Sequence, residues 1–152
     1  MNINFFMQVA MQEANIALKN NEVPVGGVLV NNETNKIITK AHNKINDGNN
    51  AILHCELILI NNACEKLKSK YLNKTTLFIT LEPCVMCAAA ISEAHISAIY
   101  FGAFDEKKGG IEKLRIAYKR NNIYLPQIYG GILEEESANL LKNFFRNKRN
   151  ES

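Results

Sequence analysis

The feature that most constrains this chain is a pair of short clusters, His54-Cys55-Glu56 and Pro83-Cys84-Val85-Met86-Cys87, with 26 residues between Glu56 and Pro83. His54, Cys84 and Cys87 offer one nitrogen and two sulfurs, a donor set suited to zinc. An ion shared by all three would tie together parts of the chain that are distant in sequence. Three protein ligands leave the fourth tetrahedral position open to water, the arrangement of a reactive rather than a structural zinc site. Glu56 then stands beside that water as a proton carrier and not as a ligand. One zinc ion per chain is the expectation.

The spacings suit this division of labour. Cys84 and Cys87 are three apart, so a helical turn brings both sulfurs to one face. His54 and Glu56 are two apart, so at a helix start they point in different directions. A Cys-x-x-Cys pair alone could be redox-active or structural, and a lone histidine before a helix is usually hydrogen-bonded structure. A thioredoxin-like role would leave His54 and Glu56 without a task. Cys64 reads as a small core residue, His42 as structural, and His95 as surface or hydrogen-bonded structure.

The rest of the chain alternates elements. Phe5, Phe6, Val9, Ala10, Glu13, Ile16 and Ala17 recur at helical spacing and predict a helix over Asn4 to Lys19, with Glu13 the polar exception. Val23 to Val30 reads as a strand, its Gly26-Gly27 marking a bulge or a close approach by a ligand. Lys36 to Ala41 returns as its hairpin partner. A second helix is expected from Ala51 to Lys68 with Leu57, Ile58, Ile60, Cys64 and Leu67 on its apolar face. Strand Thr75 to Leu81 leads to a helix that has Pro83 in its first turn and runs to Ala94. Strands at Ser97 to Phe101 and Asn122 to Ile128, a short helix around Glu112 to Tyr118, and a final helix from Glu134 to Arg149 complete the pattern. Five strands alternating with helices predict an α/β fold of three layers, α/β/α, around a five-stranded mixed sheet with helices on both faces.

The 152 residues suit one domain, expected to span 1–152. No apolar run approaches the ~20 residues of a membrane span. The N-terminus lacks the basic start and cleavage site of a signal peptide. A cytoplasmic location with reduced thiols is the expectation. The net charge of +3 is small, but Lys107-Lys108 and the group Lys142, Arg146, Lys148 and Arg149 are locally basic. Such clusters suit phosphate binding, or simply form a solvated face.

The H-x-E…P-C-x-x-C spacing resembles that of zinc-dependent nucleobase deaminases. The wider match is to the bacterial tRNA-specific adenosine deaminases of the cytidine deaminase-like superfamily. It is carried by Glu22-Val23-Pro24-Val25-Gly26, Asn43, the two metal clusters, Phe101-Gly102-Ala103-Phe104-Asp105, Gly131-Ile132-Leu133 and Phe144-Phe145-Arg146. The resemblance implies a cytidine deaminase-like fold and a homodimer that converts adenosine to inosine at the wobble position of a tRNA anticodon. It implies zinc ligation by His54, Cys84 and Cys87, and a proton-shuttle role for Glu56. It implies a purine contact from Asn43, a place near the nucleotide backbone for Asp105, and anticodon-loop contacts from Phe144, Phe145 and Arg146. This chain departs from the family pattern at Asn50-Ala51-Ile52-Leu53, at Cys55 and at Phe104. Two other readings share parts of the pattern. A free-base or nucleoside deaminase would not need the basic, aromatic C-terminal helix. A non-catalytic RNA-binding subunit would have no use for Glu56.

Overall fold

Helix α1 (Ile3–Lys19) opens the fold in this computed structural model, which describes residues 1–151. Asn2 caps it, its side-chain oxygen accepting the Phe5 N–H at 3.0 Å. The chain then forms β1 (Gly26–Asn31), β2 (Ile37–His42), α2 (Cys55–Leu67), β3 (Thr75–Leu81), α3 (Val85–Glu93), β4 (Ala98–Ala103), α4 (Ile111–Asn121), β5 (Gln127–Tyr129) and α5 (Glu134–Glu151). The five strands make one sheet in the order β2-β1-β3-β4-β5. β1 is antiparallel to both β2 and β3, while β3, β4 and β5 run parallel. The sheet is therefore mixed, as the sequence predicts.

Alternation along the strands makes two cores. Leu29, Leu77, Ile79, Ile99 and Phe101 point to one face and pack with Leu59 of α2, Ile91 of α3 and Leu114 of α4. Val28, Val30 and Phe78 point to the other and meet Phe6, Met7 and Ala10 of α1. Ser137 of α5 lies against Gly102 on that second side. Three layers result, and burying each large apolar side chain contributes roughly 1.5–3 kcal/mol.

Several local expectations shift. The buried face of α1 is Phe6, Met7, Ala10, Glu13, Ala14 and Ala17, while Phe5 and Ile16 face solvent. The close neighbour at Gly26 is not a ligand. A Cβ there would lie 2.3 Å from the α1 backbone at Ala10 and Ala14, so glycine lets the helix sit on the strand. The irregularity in the hairpin falls at Leu29/Val30 rather than at the glycines. Helix α2 begins at Cys55, not Ala51, and buries Cys55, Glu56, Leu59 and Ala63; Leu67 is exposed. Pro83 lies outside α3, one residue before its N-cap Cys84. β5 shrinks to three residues because Pro126 has no N–H to pair with a neighbouring strand. Among the described residues, no helix is long and apolar enough to cross a membrane.

Candidate active site

The two sequence clusters meet at the N-termini of α2 and α3. His54 is the N-cap of α2 and Cys84 the N-cap of α3, and neither side chain caps its own helix. Both are thus free to turn toward a shared point. For α2 the missing acceptor comes from outside: the Asn43 side-chain oxygen, just past β2, accepts the Cys55 N–H at 2.8 Å. This long-range cap is why the helix starts where it does.

His54 Nδ1 lies 3.7 Å from Cys84 Sγ and 3.5 Å from Cys87 Sγ. The three ligand atoms all lie within 4.8 Å of one another. Tetrahedral zinc bonds of ~2.0–2.1 Å to nitrogen and ~2.3 Å to sulfur would place such atoms about 3.6 Å apart. The donor set and its spacing therefore fit a metal ion without rearrangement.

Electrostatics match that use. Burial, with the nearby positive charge of Lys108, holds the His54 pKa below its ordinary value, keeping the imidazole neutral and able to ligate. Burial, reinforced by Glu56 and Cys84, pushes the Cys87 thiol up, so its deprotonation requires a cation beside it. Glu56 is 4% exposed. Burial raises its carboxyl to about 7, against the opposing effects of its backbone hydrogen bond and the Cys87 thiol.

His54, Glu56 and Cys84 line a cavity of about 660 Å³. Val23, Val25, Asn43 and Ile45 form one wall. A second wall carries Phe104, Asp105, Lys107 and Lys108, and α5 contributes Lys142 and Phe145. Glu82, directly before Pro83, shapes that second wall. Its carboxylate accepts the Asp105 N–H at 3.1 Å and the Ile111 N–H at 3.4 Å. Gly109 leaves room for it, since a Cβ there would fall 2.5 Å from Glu82 Oε2. Asp105 in turn accepts the N–H groups of Lys107 and Lys108 at 3.2 and 3.0 Å, which curls the loop toward the cavity.

The expected site residues thus divide. His54, Glu56, Cys84, Asn43, Asp105 and Phe145 line the cavity, and Cys87 is the buried third member of the cluster that could hold a metal ion. Phe144 turns inward at 8% exposure and packs edge-on to Phe145, so its ring does not reach the cavity. Arg146 is exposed and lies outside the lining. Cys55 is buried and its thiol donates to the Ala41 carbonyl at 3.2 Å, a structural place that explains its distance from the ligands. His42 is also structural, with Nδ1 3.3 Å from the buried Glu13 carboxylate. His95 is partly buried and stacks between Tyr71 and Tyr124. Sequence reasoning gave no role to Glu22 or Glu82. A signal was available for Glu82, a carboxylate set between Leu81 and Pro83 at the end of a buried strand, where a solvated acid is unexpected.

Known proteins agree with this geometry. A family profile for MafB19-like deaminases matches residues 1–149. A tRNA-specific adenosine deaminase from Rickettsia bellii is 44% identical over 144 residues, covering 94% of this chain and 99% of the relative. Another from Agrobacterium fabrum is 41% identical, covering 95% and 94%. A solved structure from a study of A-to-I editing by tRNA:A34 deaminases superposes with a TM-score of 0.84 at 39% identity, covering 90% of this chain and 99% of the other. With a His–Cys–Cys cluster able to hold a metal ion at two helix N-termini, a buried carboxyl beside it and relatives matched end to end, this chain belongs to the tRNA-specific adenosine deaminases.

Proposed function

We propose that this chain hydrolyses the exocyclic amine of adenosine at the wobble position of a tRNA anticodon, giving inosine and ammonia. The observation that carries this is the buried Glu56 carboxyl beside the His54–Cys84–Cys87 cluster at one cavity. A zinc ion held by those three residues, one per chain, would supply a water acidified to a pKa of roughly 7. Glu56 takes a proton from water and delivers it to a ring nitrogen as the hydroxyl adds to the amine-bearing carbon, then takes the hydroxyl proton of that adduct and passes it to the departing amine. The C–N bond breaks, a carbonyl forms, and ammonia leaves.

The partner is an anticodon stem-loop with its target base splayed into the cavity. Asn43 meets the purine edge, since an amide both donates and accepts. Phe145, backed by the inward Phe144, offers a ring for a neighbouring base. Lys107, Lys108, Lys142 and Arg146 offer charge to phosphates, and Asp105 acts near the nucleotide backbone through the loop it curls. Residues 1–152 act as a single deaminase domain. The chain works as a homodimer, a reading supported by Val85 and Met86, which stay exposed beside Cys84. Four free cysteines suit a reducing, cytoplasmic location. Incubating zinc-loaded protein with total tRNA and sequencing for adenosine-to-inosine changes tests the reading. Changes confined to a first anticodon position are expected, and none at all would contradict it.

A further inference from the structure

We propose that Glu22 is a positioning residue for the base pocket, fixing the gap between the two segments that face a bound base. The proposal rests on the RNA-deaminase reading and concerns how that pocket keeps its shape. Glu22 is 2% exposed, in the link between α1 and β1. A carboxylate is rarely buried so fully unless it is paired. Here its partners are backbone groups. One oxygen accepts the Asn46 N–H at 3.0 Å and the other the Asp47 N–H at 2.8 Å.

Those two N–H groups belong to the loop between β2 and α2, which is internally braced. Lys44 N–H donates to the Leu53 carbonyl, Gly48 N–H to Lys44 and Asn50 N–H to Ile45, at 3.1, 2.8 and 3.0 Å. These bonds brace the loop from within. Its cavity-facing residues are Asn43 and Ile45, while Val23 and Val25, directly after Glu22, face the same cavity from the neighbouring segment. At the loop's root, the Asn43 N–H donates to the Val25 carbonyl at 3.1 Å. Further out, Glu22 is the side chain that joins the two segments, with one weaker tie from the Asn46 amide to the Asn21 carbonyl at 3.3 Å.

The geometry separates this brace from the metal ligands. Asn43 holds the start of α2 through the Cys55 N–H without help from Glu22. The basic wall at Lys107 and Lys108 is held instead by Glu82 and Asp105. Loosening Glu22 should thus disturb the grip on the base while leaving the ion and the phosphate contacts in place. A residue that merely stabilised the fold would affect all three together.

The test compares two RNAs on zinc-loaded protein. One is an anticodon stem-loop with adenosine at the target position, and the other is the same stem-loop with an abasic nucleotide there. Glu22→Gln keeps the size but turns an amide N–H₂ toward a backbone N–H. The variant is expected to bind the adenosine RNA about tenfold more weakly, the order of a lost buried hydrogen bond to a charged group. The abasic RNA should bind as it does to wild type, and zinc content should not change. If Glu22→Gln fails to fold, Glu22→Asp decides by the same comparison, because the shorter carboxylate keeps the charge but reaches the Asn46 and Asp47 N–H groups less well, and it should show the same selectivity at about two- to threefold. Equal weakening of both RNAs, or of neither, overturns the proposal. Wild-type protein that binds neither RNA overturns the tRNA reading itself. Wild type that prefers the adenosine RNA, with a variant that prefers it equally, overturns only the role of Glu22.

Discussion

Glu56 is buried beside the His54–Cys84–Cys87 cluster, placed to take a proton and return it. Glu56→Gln keeps the shape but cannot carry a proton. Single-turnover deamination should fall by at least ~10²–10⁴-fold with zinc content unchanged. A variant that keeps a near-normal rate would remove Glu56 from the chemistry. The same burial leaves a mark on stability in metal-free protein. The folded value lies above the ordinary 4.5, so between 4.5 and about 7 the folded chain binds more protons than the unfolded one. This contribution is fully present below pH 4.5 and is lost as pH rises through about 7. Relative to Glu56→Gln, chelated wild type should lose on the order of 3 kcal/mol across that window, measured by urea unfolding. Parallel pH profiles for the two proteins would show that the carboxyl is not desolvated. The ligands His54, Cys84 and Cys87 were legible in the sequence because their donor atoms and spacing name their own chemistry. Glu22 and Glu82 were not, because their partners are backbone N–H groups in loops 23 or more residues away.

Helix α5 shows how an element divides one motif between packing and surface. Phe144 is buried, Phe145 is 47% exposed at the cavity, and the Lys148 ammonium sits 5.6 Å over the Phe144 ring. Phe145→Ala should weaken stem-loop binding by ~1–3 kcal/mol with little change in salt dependence, if the ring stacks on a base. Arg146→Ala with Lys142→Ala should instead flatten the salt dependence, each lost phosphate contact lowering the slope by roughly one. Titrations at two salt concentrations separate these effects. An unchanged affinity in both variants would remove α5 from the RNA interface. Element types were mostly legible, and β3 was read residue for residue because Thr75 to Leu81 is an uninterrupted buried, strand-favouring run. The start of α2 was not, since its cap is Asn43, 12 residues earlier in the chain. The buried face of α1 was displaced because Phe5 and Ile16 are apolar yet point outward. Apolarity permits burial without requiring it.

At the scale of the molecule, the parallel strands β3 and β4 lead into the Cys84 helix and the Phe104–Lys108 loop, so ligands and basic wall share one end of the sheet. Ligand sites in α/β sheets form at such strand ends. The exposed Val85 and Met86 beside Cys84 make assembly part of the account. Light scattering should give a dimer for wild type, and Met86→Glu should shift it toward monomer while retaining zinc. A wild-type monomer at micromolar concentration would contradict the pairing. The most direct test of the whole account is nucleoside analysis after zinc-loaded protein meets a defined anticodon stem-loop with adenosine at the wobble position. The account predicts inosine at that position alone, none with Glu56→Gln, and no ammonia from free cytosine, guanine or their nucleosides. Untouched RNA together with ammonia release from a free base would contradict it.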